Sequence, residues 1–176
     1  MPTALPVGAL VALAVLTLGA QSRPAGPVPL RTMRVDYFHT GNTTEELFAL
    51  DRVVVEPAPW PGPRDRAGDV LRYGAYGFDV TDAASGRLLY SRGFGSIYDE
   101  WVTTEEAATS SRTFHESLRF PLPASPVVVG VRNRGAKDSW TTVWETRVDP
   151  AGMFVDTAAP EPHPGGVMEI ERHGDS

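Results

Sequence analysis

Thr32-Met33-Arg34-Val35-Asp36-Tyr37-Phe38 decides the fold class. Met33, Val35 and Tyr37 alternate with Arg34 and Asp36, a period of two that puts an apolar row and a charged row on opposite faces of an extended chain. That is a half-buried strand, and its signature recurs. Residues 47–56 carry the β-branched run Val53-Val54-Val55. Residues 71–81 place Tyr76, Phe78 and Val80 on one face. Asp82-Ala83-Ala84-Ser85-Gly86 then closes a hairpin into residues 87–94, where Leu88, Tyr90, Arg92 and Phe94 share a face. Further strands are expected at 113–120, 127–132 and 140–148. Between them stand breaker sequences. His39-Thr40-Gly41-Asn42 reads as a turn, and Pro57, Pro59, Pro61 and Pro63 read as an extended loop that ends ladder pairing. Residues 103–108 suit one short helix, with a Thr cap and Glu105 and Glu106 in its first turn. Roughly seven strands without a βαβ rhythm predict an all-β fold, an antiparallel β-sandwich of immunoglobulin-like type.

The flanks have a different character. Residues 1–20 contain no charged side chain, and Ala9 to Leu18 is a continuous apolar run followed by Gly19 and Ala20. This is the pattern of a signal peptide cleaved after Ala20, too short to span a bilayer. It predicts a secreted or periplasmic protein with no membrane partner once the signal is removed. Residues 21–31 are a flexible lead-in, and the β domain covers 32–156, with Met153 and Phe154 expected to fold back as apolar plugs. Residues 157–166, with Pro160, Pro162, Pro164, Gly165 and Gly166, have linker composition. Residues 167–176 alternate again at first and read as the start of a truncated following domain.

Composition excludes several function classes. The 176 residues carry a net charge of −6, with the arginines scattered among acids. Nucleic acid needs a concentrated basic face to displace counterions, so it is not expected as a partner. There is no cysteine, which removes thiol catalysis, thiolate ligation and disulfides.

Each motif with chemical potential meets a simpler reading. His115-Glu116 invites a zinc-peptidase reading, but H-E-x-x-H needs a second His and the fifth position is Arg119. The segment also reads as a strand, with Phe114, Leu118 and Phe120 on one side and His115, Ser117 and Arg119 on the other. Glu116 falls on the apolar side and needs a partner there. Arg92, on an apolar face of its own strand, is the expected one, as a buried structural pair. The four histidines, at 39, 115, 163 and 173, are too dispersed to suggest a metal site. Gly93-Phe94-Gly95 lacks the third glycine of a dinucleotide loop. Glu45-Glu46 and Glu105-Glu106 are adjacent and so do not converge. Trp60, in its proline-rich loop, and Tyr98 and Trp101, flanking a turn, form a candidate binding surface of stacking aromatics. No catalytic, metal or cofactor residue is assigned.

Several ordered stretches together resemble one family. They are Thr32 to Asn42, Leu50-Asp51-Arg52-Val53, Pro59-Trp60-Pro61-Gly62, Gly86 to Phe94, Tyr98 with Glu100-Trp101, Arg112 to Pro121, and Val148-Asp149-Pro150. Over about residues 32–156 the chain resembles the N-terminal domain of the IgA-peptidase metallopeptidases, peptidase family sixty-four. The resemblance implies a secreted bacterial zinc endopeptidase in which this β domain is a non-catalytic accessory. Its partner would be a catalytic domain in cis, which would hold the zinc, and the domain would support folding, packing or the positioning of a protein substrate. The alternative is a free-standing secreted binding module for glycan or cell-surface protein, built on Trp60, Tyr98 and Trp101.

Overall fold

A computed structural model describes residues 30–63 and 67–157. The expected signal peptide, most of the lead-in, the linker beyond Thr157 and the tail lie outside the described residues.

Among the described residues, eight strands form two facing sheets, an all-β sandwich. They are β1 (Arg31–Gly41), β2 (Glu46–Pro59), β3 (Tyr76–Asp82), β4 (Leu88–Phe94), β5 (Arg112–Pro121), β6 (Val127–Arg134), β7 (Trp140–Val148) and β8 (Val155–Asp156). One sheet has the order β5-β1-β2-β8 and the other β4-β3-β6-β7. All pairings are antiparallel except β2 with β8. One short α-helix, α1 (Ile97–Trp101), packs near β5.

The period-two pattern does what alternation requires. Met33, Val35 and Tyr37 of β1 face inward with Leu118 and Phe120 of β5, against Tyr76, Phe78 and Val80 of β3 and Val127, Val129 and Val131 of β6. All of these are at most 3% exposed. Burying each such side chain contributes about 1.5–3 kcal/mol, and this layer is what holds the sheets together.

Four expectations need correction. The first strand does not end at Phe38: β1 runs to Gly41, so His39 is a buried strand residue and not a turn residue. The alternation simply continues, and the turn follows at Asn42, whose side chain accepts from Thr44 N and Glu45 N. Gly41 sits where a Cβ would lie 2.1 Å from Glu45 O, so the tight return of the chain excludes any larger residue. The second strand also outlasts its expected end. The β1–β2 register shifts between Thr32↔Glu56 and Arg31↔Pro59, so Pro57 falls inside a bulge, where its missing N–H breaks no ladder bond. The helix expected at 103–108 is a 3-10 turn, Glu105–Ala108, and the α-helix is α1 just before it. Ser96 caps α1, accepting from Tyr98 N, with Asp99 and Glu100 in the first turn. Finally, Met153 and Phe154 do not fold back as plugs. They are 87% and 86% exposed, and the two residues that follow form β8 instead.

The described chain enters and leaves at one end of the sandwich. Arg31 pairs with Pro59 there, and Arg31, Val55 and Thr157 line one groove. The β1–β2 turn and α1 occupy the opposite end, joined where Tyr98 OH donates to Asn42 O (2.9 Å) and Glu45 O (3.2 Å).

Candidate functional site

At the α1 end, β1, β2, β3, β5 and α1 bring six polar side chains together. His39 is wholly buried, its ring stacked between Phe48 (4.2 Å) and Tyr98 (4.0 Å). Its Nε2 lies 2.9 Å from Glu46 Oε1 and its Nδ1 lies 3.4 Å from Glu116 Oε2. Glu116 accepts three further bonds, from Tyr37 OH (2.7 Å), Ser96 Oγ (2.6 Å) and Ile97 N (3.0 Å). Tyr76 OH donates to Glu46 at 2.5 Å.

The electrostatics follow from this geometry. Burial works to lower the His39 pKa, but the bonds to Glu116 and Glu46 override it and leave it raised. Burial likewise works to raise Glu116, but His39, Ser96 and Tyr37 hold it down at about 2. Burial, reinforced by the neighbouring carboxylates, pushes Tyr37 and Tyr76 well above the usual phenol range. The cluster therefore favours a protonated His39 between two carboxylates, with two neutral phenols as donors.

A serine, a histidine and a glutamate in contact resemble a hydrolytic triad, and the geometry argues against one. In a triad the serine gives its proton to the histidine. Here Ser96 gives it to Glu116, accepts the α1 cap bond and is 3% exposed. His39 already points both ring nitrogens at carboxylates, so it has no free base to offer. The cluster fastens five elements together; its Ser96 and His39 are closed off, and it opens at Glu46, which with Tyr76 and Tyr98 lines a surface cleft of about 290 Å³.

One residue away, the other face of β1 carries a second cluster. Asp36 is 1% exposed although it lies on the outer side of its sheet. Its Oδ1 accepts from Arg34 Nε (2.8 Å) and Ser117 Oγ (2.6 Å), and its Oδ2 from Arg34 Nη2 (3.0 Å) and Arg52 Nε (2.8 Å). Glu56 extends the network to Arg34 and Arg119. Asp36, Asp51 and His115 lie close enough together to suggest a cation site. The donor set does not fit one. Both oxygens of Asp36 are saturated, so an ion would have to displace an arginine, and His115 Nε2 is bonded to Asp51 at 3.1 Å.

The sequence-derived candidates separate in space. Trp60 is 8% exposed, edge-on to Tyr90, at the Arg31 end. Tyr98 is 4% exposed at the other end, against His39. Only Tyr98 and Trp101 meet, with ring centres 6.0 Å apart, and the Trp101 indole donates to Glu106. A further tryptophan, Trp140, lines a polar cleft of about 280 Å³ on the other sheet, but its ring already carries Arg132 and Arg134. The expected Glu116–Arg92 pair does not form. Glu116 is indeed on the inner face, but its partners are His39, Ser96 and Tyr37, and Arg92 is exposed on the edge strand β4. His39 and Ser96 are the residues that sequence reasoning missed. The signal for His39 was the unbroken alternation Val35, Tyr37, His39. For Ser96 there was only a cap position before two acids.

Residues 28–145, two thirds of the chain, match the family described as Peptidase M64 N-terminus. No curated protein matches the chain.

Proposed function

This chain belongs to the peptidase M64 N-terminus family, and from that premise we propose that it is a non-catalytic accessory domain, secreted by a bacterium, that supports a zinc endopeptidase domain in cis. Its work is to help that domain fold, to pack against it or to position protein substrate. The observation that carries the reading is the closing off of the serine and histidine in the triad-like cluster found among the described residues: Ser96 and His39 are both buried and both committed to carboxylates. Arg119 stands where a zinc helix would need its second histidine. The apolar run before Ala20 supports export. The alternative of a glycan or surface-protein module loses its platform, because Trp60 and Tyr98 are buried at opposite ends of β1.

The test is direct. The purified chain should cleave no peptide and take up no stoichiometric zinc in a calorimetric titration, and the parent gene stripped of codons 32–156 should yield less active peptidase. Turnover by the chain itself, tight zinc binding at neutral pH, or an undiminished yield would overturn the reading.

A further inference from the structure

His39 is the pivot of the inner cluster, because a histidine has two ring nitrogens and only its charged form donates from both. The polar groups around it come from every element packed against it: Tyr37 of β1, Glu46 of β2, Tyr76 of β3, Glu116 of β5, and Ser96, Tyr98 and Asp99 at α1. The two sides of the ring are not equivalent. Nε2 lies 2.9 Å from Glu46, whereas Nδ1 lies 3.4 Å from Glu116 and 3.3 Å from Ser96 Oγ. A neutral His39 keeps one hydrogen, and the closer carboxylate retains it on Nε2. Nδ1 then turns from donor into acceptor, with the Glu116 carboxylate in front of it. The Ser96 hydroxyl is the donor within reach of that lone pair.

We propose that this cluster is a pH-sensitive latch on α1: when His39 gives its proton to water, the Ser96 hydroxyl turns from Glu116 to His39 Nδ1, and the Ser96 end of α1 comes away from β5. In the latched form Ser96 Oγ and Ile97 N both donate to Glu116 Oε1, at 2.6 and 3.0 Å. Two oxygens 2.6 Å apart are held there by the hydrogen between them. With that hydrogen turned away they repel, so Ser96 withdraws and draws Ile97 N off with it. The helix itself stays moored, since Tyr98 OH donates to the backbone carbonyls of Asn42 and Glu45, which do not titrate. Tyr98, Asp99 and Val102 help to wall the cleft of about 290 Å³ beside Glu46, so release reshapes that cleft. The raised His39 pKa sets the direction: α1 is latched below the ordinary 6.5 and released as pH rises through the folded value. The inference stands independently of the accessory reading above.

The test is nuclear magnetic resonance on the intact chain with isotope-labelled histidine, the His39 ring being recognised by its contacts with Phe48 and Tyr98. Between about pH 6 and about pH 9.5 the ring nitrogens should report the loss of one proton and a neutral form that carries its hydrogen on Nε2. Over the same titration the protection of the Ile97 amide against solvent exchange should fall about tenfold relative to that of Val129 in β6, the scale of one bond to a charged group. Ser96→Ala removes the hydroxyl that supports the neutral ring and should move the His39 titration upward, whereas a serine that only caps α1 would leave it in place. The wild-type measurements need no variant, so the latch can fail on them alone. A neutral ring with its hydrogen on Nδ1 overturns it. So does an Ile97 amide that tracks Val129 throughout, or a His39 that keeps its proton across the whole range. An unmoved His39 titration in folded Ser96→Ala overturns it as well.

Discussion

Asp36 and Tyr37 are neighbours on β1, yet they belong to two charge clusters built on different plans. The inner one holds Glu116 and Glu46 around His39, with phenols as extra donors. The outer one holds Asp36 and Glu56 among Arg34, Arg52 and Arg119. Both make a carboxylate nearly inaccessible, Glu116 at 10% and Asp36 at 1%. The cations differ. Arginine is charged at every accessible pH and can swing toward water, whereas His39 is confined between two rings and can lose its proton. The outer cluster is thus permanent and forgiving, and the inner one is conditional and rigid.

The sharpest break is His39→Ala. It leaves the nearly buried Glu116 and the half-buried Glu46 facing an empty space, and chemical denaturation should show a loss of about 3–5 kcal/mol. A loss below about 1 kcal/mol would mean that water replaces the imidazole at no cost, and the contrast with the outer face would vanish. Asp36→Asn should cost less, about 1–3 kcal/mol by the same measurement, since Arg52 is already half exposed and Arg34 keeps Glu56.

The pH dependence separates the clusters without mutation. The raised His39 pKa means its contribution is full below the ordinary value of 6.5 and is lost as pH rises through the folded value. Thermal melts from about pH 6.5 to about pH 9, short of ordinary tyrosine ionisation, should show stability falling as pH rises. Asp36→Asn should keep this alkaline loss and His39→Ala should abolish it. On the acid side the lowered Glu116 contributes fully above its ordinary 4.5 and loses that contribution as pH falls toward about 2. Asp36, also lowered, fails in the same direction, so acid melts should not discriminate. The smallest effect belongs to His115→Ala. Its bond to Asp51 joins two exposed groups, and the change should stay within about 0.5 kcal/mol.

The sandwich was legible because strand periodicity is local: Met33, Val35 and Tyr37 announce their face without help from the rest of the chain. The inward aim of Glu116 was legible for the same reason. Its partner was not, because β5 meets β1 across a sequence separation of 77 residues between His39 and Glu116, and nothing local encodes that register. Gly41 and Asn42 compounded the miss, since their turn signal drew His39 into the turn although the alternation already placed it inside. Met153 and Phe154 show the converse. Their apolarity was read correctly, but apolarity alone does not say whether a side chain is buried in its own domain.

The single-ended path of the chain has a mechanical consequence. Tension applied through the residues before Arg31 and after Thr157 enters at the same end of the sandwich. It loads first the pairing of Arg31 with Pro59 and the short parallel contact of Val155 and Asp156 with β2. Eight residues farther along β1, about 26 Å away, the stacked His39 ring sits outside the line of force. Pulled by its tethers, the domain would peel from its attachment end while the clamp around His39 held the far end shut.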